Sequence, residues 1–443
     1  MTTMSLPLHC DQCEQTAHGS GCVINGQAGV CGKNIDVESL QQTLLYGLKG
    51  MAAYAHHARR LGKSDEAVSA FIEEALFATM TNVNFDIETL FEMVMKCGQM
   101  NLRVMQMLDE AHVELFGEPS PVEVEEGLSD GRGILITGHD MLDLRDLLKA
   151  CEGTDVKVYT HGEMLPGHMY PQLRNHPNLA GHYGGAWQKQ KSEFAAFAGP
   201  ILVTTNCVLI PKEAYADRIF TLRATAVPGG HHLKEGDDLS VVVEKAKQCP
   251  ALEATEKRKS TIGFHRSVIL SKAGAIVEAV KAGQISRFFL IGGCDGAEPG
   301  RNYYSDYAAA CPSDSFILTL GCGKYRIRNG SYGEHLGLPR LMDMGQCNDA
   351  YGAIMVASAL AEAFECSVND LPLTIVLSWF EQKAVAVLLT LLSLGVKGIT
   401  VGPNAPAFIS PNVMAILREK YDLRVIGDDA KADVAEAMGV EVG

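Results

Sequence analysis

Apolar positions in residues 37–115 recur every three to four residues, and the pattern breaks near 62–64 and again near 82–84. In the last segment Ile87, Leu90, Phe91, Val94, Leu102, Met105 and Leu108 form one stripe, so the spacing predicts three helices packed as a bundle. Farther along the period changes. GILIT, VKVYT, ILVTTN, FFLIGG, FILTLG, LTIVLS, GITVGP and LRVIG are short apolar runs with little alternation, separated by helical stretches such as DLRDLLKAC. Unbroken apolar runs suit strands buried on both faces, and their alternation with helices predicts parallel sheets. The acidic, proline-containing stretch 117–127 reads as a linker, and the polar stretch 253–260 as a divider between two α/β units. The expected organisation is an N-terminal loop and three-helix bundle over 1–118, a first Rossmann-like α/β domain over 119–262 and a second over 263–443.

Side chains with metal-binding chemistry stand where these strands stop. ILIT runs into His139, KVYT into His161 and Glu163, ILVTTN into Cys207, FFLIGG into Cys294, FILTLG into Cys322, and LTIVLSWF into Glu381 and Lys383. Ligands of open α/β sheets bind beyond the carboxyl ends of the strands, so these residues are expected to meet in the cleft between the two units. Cys347 has no strand in the pattern before it. It precedes an Ala-rich helix, whose N-terminus stabilises a thiolate. His231 and His232 follow a Pro-Gly-Gly turn and read as loop residues.

A second cysteine group, Cys10, Cys13, Cys22 and Cys31, lies in a polar segment that cannot build its own core. Thiolates so spaced can wrap one zinc ion or one iron-sulfur centre, and the spacing leaves both open. His9 and His18 beside them read as surface residues, and Cys97, Cys151, Cys249, Cys311 and Cys366 as structural. The methionines of the third helix (Met93, Met95, Met100, Met105, Met107) read as core filling, not as a soft-metal box.

Composition narrows the partners. The chain has 443 residues, 47% of them apolar, and a formal net charge of -15, which argues against nucleic acid. Its longest apolar run, 384–394, is about half the ~20 residues that a spanning helix needs and reads as a buried helix. Thirteen cysteines without a secretory signal point to a cytoplasmic, reducing setting and to metal chemistry in place of disulfides.

The motifs GHDMLDL, YTHGEMLPGHMYP, TTNC, GGCDG, TLGCGKYR, MGQCNDAY and SWFEQKAV resemble, in order and over nearly the whole chain, those of the hybrid cluster (prismane) proteins, also called hydroxylamine reductases. The single short helical region makes the chain similar to the compact class of that family, whose fold is related to carbon monoxide dehydrogenase. The resemblance implies a hybrid 4Fe-2O-2S cluster held by His139, Glu163, Cys207, Cys294, Cys322, Cys347 and Glu381, with Lys383 beside them and Cys294 at the position that can carry a persulfide. It also implies an N-terminal cluster on Cys10, Cys13, Cys22 and Cys31. The gaps Cys13–Cys22 and Cys22–Cys31 are both eight residues long; 4Fe-4S is the expected type, with 2Fe-2S left open. The implied reaction is reduction of hydroxylamine to ammonia and water, with Glu163, His139, Glu381 and Lys383 in catalytic roles and an external protein as electron donor. Nitric oxide reduction, a nickel-dependent carbon monoxide dehydrogenase and a non-catalytic sensor of nitrosative stress are the alternatives.

Overall fold

The computed structural model describes residues 9–15, 22–23, 30–294 and 302–440. His18 and the last two residues of the GGCDG motif lie outside them. Three helices follow the N-terminal hairpin: α1 (Ile35–Arg60), α2 (Glu66–Ala78) and α3 (Ile87–Phe116). Each starts at an Asn or Asp (Asn34, Asp65, Asp86) whose side chain accepts from first-turn backbone N–H groups that have no helical partner.

A fourth helix from the far end of the chain, Gln382–Ser393, joins the bundle. Leu44, Leu48 and Met51 of α1, Val94 and Met105 of α3, and Leu388, Leu389 and Leu392 of the fourth helix share one buried core. Cys97 is fully buried there, and all five methionines of α3 pack against or within the same core. Gly98 lets the backbones approach: a Cβ at that position would stand 2.1 Å from the Leu389 carbonyl oxygen. Thr390 donates to the Gly98 carbonyl at 3.0 Å, and Asn101 donates to Thr390 at 3.0 Å. The apolar run 384–394 is therefore a buried helix, and no described helix is long and apolar enough to cross a membrane.

Two sheets follow. The first runs, edge to edge, Arg258–Ile262, Val122–Glu126, Leu179–His182, Lys157–His161, Gly133–Thr137, Ile201–Val203, Ile219–Leu222, His231–Leu233. Its first two strands pair antiparallel and the remainder are parallel. The second is wholly parallel, in the order Leu341–Asp343, Phe316–Leu320, Phe288–Gly293, Leu373–Ser378, Thr400–Gly402, Arg424–Val425.

Three expectations need correction. The stretch read as a linker contains the strand Val122–Glu126, and the stretch read as a divider supplies its neighbour Arg258–Ile262. Opposite charges face each other across that pair: Lys257–Glu125 at 2.8 Å, Arg258–Glu126 at 2.6 Å and Lys259–Glu123 at 3.1 Å. An edge pair can be stabilised by cross-strand ion pairs where a buried strand needs apolar side chains. His231 and His232 are exposed residues of an edge strand, not of a loop. Cys347 also follows a strand, Leu341–Asp343, too short to register as a pattern.

Candidate metal centre

In each sheet the strand order turns at one central pair of parallel neighbours, and four of the candidate residues leave those strands; the first sheet changes direction again toward its Arg258–Ile262 edge. In the first sheet Gly133–Thr137 is flanked by an earlier-to-later progression on either side, and His139 and Cys207 leave the two strands at its switch point, Gly133–Thr137 and Ile201–Val203. In the second sheet Cys294 and Glu381 leave the neighbouring strands Phe288–Gly293 and Leu373–Ser378. The crevice beyond such a reversal is where open α/β sheets leave room for a ligand. Gly293 makes the exit from the strand at φ +109, and a Cβ there would stand 1.9 Å from the Ser378 carbonyl oxygen. No side chain fits, so the backbone turns and delivers Cys294 into the crevice.

His139, Glu163 and Cys347 offer ligand atoms that all lie within 4.8 Å of one another. The Cys347 backbone N–H donates to Glu163 Oε2 at 3.1 Å, and the Asn206 amide donates to Glu381 Oε2 at 3.2 Å while facing the Cys207 sulfur at 3.8 Å. Cys294 meets the backbone of Glu381, and Cys322 that of Trp187. Cys207, Cys294 and Cys347 feel the charge of Glu381, and Cys322 feels that of Glu163. The predicted set is therefore gathered in one place. Its small cavity is lined by His139, Glu163, Cys207 and Cys322 together with His161, Trp187 and Asn206.

Burial dominates the electrostatics of this pocket. Burial pushes the Cys207 and Cys347 thiols up to about 12, with Glu381 and Glu163 adding to the effect, and raises Cys294 and Cys322 well above the ordinary value. Burial likewise pushes Glu163 up to about 6. Lys383 is fully enclosed; burial opposes its charge, but Cys347, Glu381, Cys207 and Glu163 outweigh it and hold its pKa above the ordinary value. Glu163 Oε1 and Lys383 Nζ are buried with no hydrogen-bond partner. Ionising a thiol of pKa about 12 at neutral pH costs about 7 kcal/mol, a cost that bonding to a metal ion offsets. Thiols, one imidazole and carboxylates, with an orphaned oxygen among them, fit a polynuclear iron centre of mixed ligand hardness.

Neighbours orient the donors. His139 Nδ1 lies 2.7 Å from the Asn206 carbonyl oxygen, which fixes the proton on Nδ1 and leaves Nε2 as the ligand nitrogen. Gln346 donates to the carbonyls of both His139 (3.0 Å) and Glu163 (2.6 Å). Gln190 donates to the Cys207 carbonyl at 2.7 Å, Trp187 to the Cys294 carbonyl at 3.2 Å, and Tyr54 of α1 to the Cys347 sulfur at 3.2 Å. None of these five neighbours was legible in the sequence. Tyr54 lies on an apolar helix stripe, where a core tyrosine gives the same signal. His161, by contrast, is not a free donor: its Nδ1 lies 3.1 Å from Thr137 Oγ1 and its Nε2 2.9 Å from Glu193 Oε2.

In the N-terminal group, Cys10 and Cys22 face each other as partners across a two-stranded ladder. Cys10 is buried, Cys13 and Cys22 are part-buried and Cys31 is exposed. Lys33, buried and paired with Glu38 at 2.9 Å, donates to the Cys10 sulfur at 3.5 Å; burial nevertheless outweighs this contact and raises the Cys10 thiol above its ordinary pKa. Among the remaining cysteines, Cys151 and Cys311 are buried in the cores of the two α/β units.

Comparison with known proteins agrees with this geometry. The chain matches a hydroxylamine reductase of Moorella thermoacetica with 57% identity, over 98% of this chain and 100% of the relative. A hydroxylamine reductase of Thermotoga maritima matches with 47% identity over 98% of this chain and 100% of the relative. One from Solidesulfovibrio magneticus is 50% identical over 92% of this chain but only 76% of its own length, so relatives of two lengths exist and this chain has the shorter. In fold it is similar to a nickel-free carbon monoxide dehydrogenase of Thermococcus sp. AM4, with TM-score 0.80 and 17% identity, covering 98% of this chain and 90% of that one. Carbon monoxide dehydrogenase IV of Carboxydothermus hydrogenoformans gives TM-score 0.79 and 15% identity, covering 98% and 92%. The family described as Prismane/CO dehydrogenase matches residues 8–92 and 86–434, and the chain belongs to that family.

Proposed function

We infer that this protein is a hydroxylamine reductase: hydroxylamine takes up two electrons and two protons, its N–O bond breaks, and ammonia and water leave. The observation that carries the reading is the buried set of His139, Glu163 and Cys347, with ligand atoms within 4.8 Å, inside a ring of further thiols and carboxylates. Among near-full-length relatives, those cited above carry the same activity in their names.

In this reading His139, Glu163, Cys207, Cys294, Cys322, Cys347 and Glu381 hold an iron-sulfur-oxygen centre, and Cys10, Cys13, Cys22 and Cys31 hold an iron-sulfur cluster of the 4Fe-4S type that feeds it. When bound, the centre supplies stored electrons and a Lewis acid for the substrate oxygen. The chain supplies the rest. Asn206 holds the His139 ring in one tautomer, and Gln346 fixes the His139 and Glu163 loops relative to each other. Lys383 Nζ, a charged donor with no hydrogen-bond partner, lies among the anionic groups of the site and delivers a proton to the leaving oxygen. Trp187, stacked on Phe380 at 3.9 Å, keeps bulk water from the Cys294 side.

The test is anaerobic turnover with reduced methyl viologen as donor. Hydroxylamine should be consumed and ammonia formed one for one. No consumption by protein with full iron content refutes the reading, and nitrous oxide formed from nitric oxide at a higher rate would name a different substrate. In Cys347→Ala the paramagnetic signal of the hybrid centre should vanish while that of the N-terminal cluster stays. Loss of both would mean that the ligands are misassigned.

A further inference from the structure

The end of α2 and the turn into α3 expose an apolar surface that no contact among the described residues accounts for. Leu76 (44% exposed), Phe77 (60%), Met80 (57%), Val83 (41%) and Phe85 (42%) fall within ten residues. Such residues are normally scattered singly, and a cluster marks a contact surface. This one adjoins the N-terminal thiols: Thr81 donates to the Gln12 carbonyl at 3.3 Å, and Gln12 lies between Cys10 and Cys13. The charges that residues 9–15 and 64–95 expose around the apolar residues are negative, from Asp11 and Glu14 of the thiol loop to Glu73, Asp86 and Glu88 of the helices, and the nearby Lys96 is paired with Glu74 at 3.1 Å. No Lys or Arg occurs in 64–95 or in 9–15.

We propose that this surface docks a one-electron carrier protein whose contact face is apolar at its centre and rimmed with Lys or Arg. The proposal rests on the reading that the N-terminal cysteines hold an electron-transfer centre. In each encounter the carrier is oxidised by one electron and that centre is reduced by one, with no proton exchanged, and two encounters supply one N–O cleavage. An apolar centre with a charged rim suits a partner that must bind and leave in each cycle, since rim charges set the encounter rate while the small apolar contact limits residence.

Ferricytochrome c, a basic one-electron haem protein, serves as the probe, with the electron running in the reverse direction: the centre is oxidised and the ferrihaem reduced. Protein reduced with dithionite and desalted is mixed with it in a stopped-flow cell. The second-order rate constant should fall about tenfold as salt is raised from low to moderate ionic strength, and at least about fivefold in Phe77→Ser and in Met80→Ser. Glu73→Lys should slow it as well. Complex formation between the oxidised protein and ferricytochrome c, followed by calorimetry at low salt, should weaken in the same variants without any electron transfer. Reduction of the variants by dithionite itself should stay unchanged. Unchanged rates and affinities in both apolar variants overturn the proposal. So does faster reaction with an acidic carrier such as flavodoxin, or loss of the N-terminal paramagnetic signal in the variants, which would make the surface a support for the thiol loop. Viologen-driven hydroxylamine turnover bypasses docking, so its failure would sink the functional reading and not this one.

Discussion

Tyr54 stands on α1, and its phenol donates to the Cys347 sulfur at 3.2 Å across 293 residues of sequence. Burial first, and then the facing Cys347, raises its pKa well above the ordinary value, so it donates at every working pH. Tyr54→Phe should leave the fold intact, with a stability change of about 1 kcal/mol, the net value of one such hydrogen bond. It should shift the potential of the hybrid centre, read by a redox titration of its paramagnetic signal. Lys383 makes a sharper case. Its ammonium is buried without a hydrogen-bond partner, over the Tyr54 ring at 5.9 Å, and the anionic groups around it hold its pKa up, so Lys383→Met should lower the melting temperature by leaving those groups without a counter-charge. Turnover should fall about 100-fold if the group carries a proton to the substrate. A melting loss with full turnover would show Lys383 to be only a counter-charge.

At the scale of elements, helix Gln382–Ser393 has two tasks: its first turn brings Lys383 to the site, and its body packs against α1 and α3. Gly98→Ala would drive a methyl group into the Leu389 backbone, and overpacking of this kind costs about 1–3 kcal/mol. Denaturant midpoints should drop accordingly, and turnover with them, because the displaced helix carries Lys383. The apolar run announced this helix, but its partners were hidden, since an apolar stripe states that a face is covered and not by what. The strand Val122–Glu126 was missed for another reason. VEVEE looks like a solvated acidic segment until the basic strand that faces it, more than a hundred residues later, is in view. The buried strands could be read because apolar runs with a donor at the end carry both their burial and their direction in a few consecutive residues.

Across the whole molecule, Asp109 of α3 joins the bundle to the start of the second unit. It accepts from His265 Nε2 at 3.0 Å and from Arg266 at 2.7 Å. Burial alone would raise this carboxyl, but the His265 and Arg266 hydrogen bonds win and hold it below the ordinary carboxylate value. A depressed folded pKa means stability that is present above the unfolded value of about 4 and lost as pH falls through the folded one. The wild-type unfolding midpoint should therefore fall steeply below about pH 4. Asp109→Asn should start about 2–3 kcal/mol lower at pH 7, less than a fully enclosed pair because Arg266 is part-exposed, and show a flatter acid limb. Equal acid slopes for the two proteins would assign acid sensitivity elsewhere. What the sequence offered at this scale was convergence: the residues from His139 to Lys383 were legible as a set because all but Cys347, which was read from the helix it precedes, close an apolar strand run, while Tyr54 and Gln346 close none and Asn206 gives no signal of its own beside Cys207.

Gln346, with one amide reaching the carbonyls of both His139 and Glu163, has a bearing on biosynthesis. A nascent chain presents His139, Glu163 and Cys207 long before Cys294, Cys322 and Cys347 leave the ribosome. The residues of the pocket thus become available in two instalments. In the proposed reading, loading of the centre therefore waits for the last of these residues, and a chain truncated before Gln346 should not take it up.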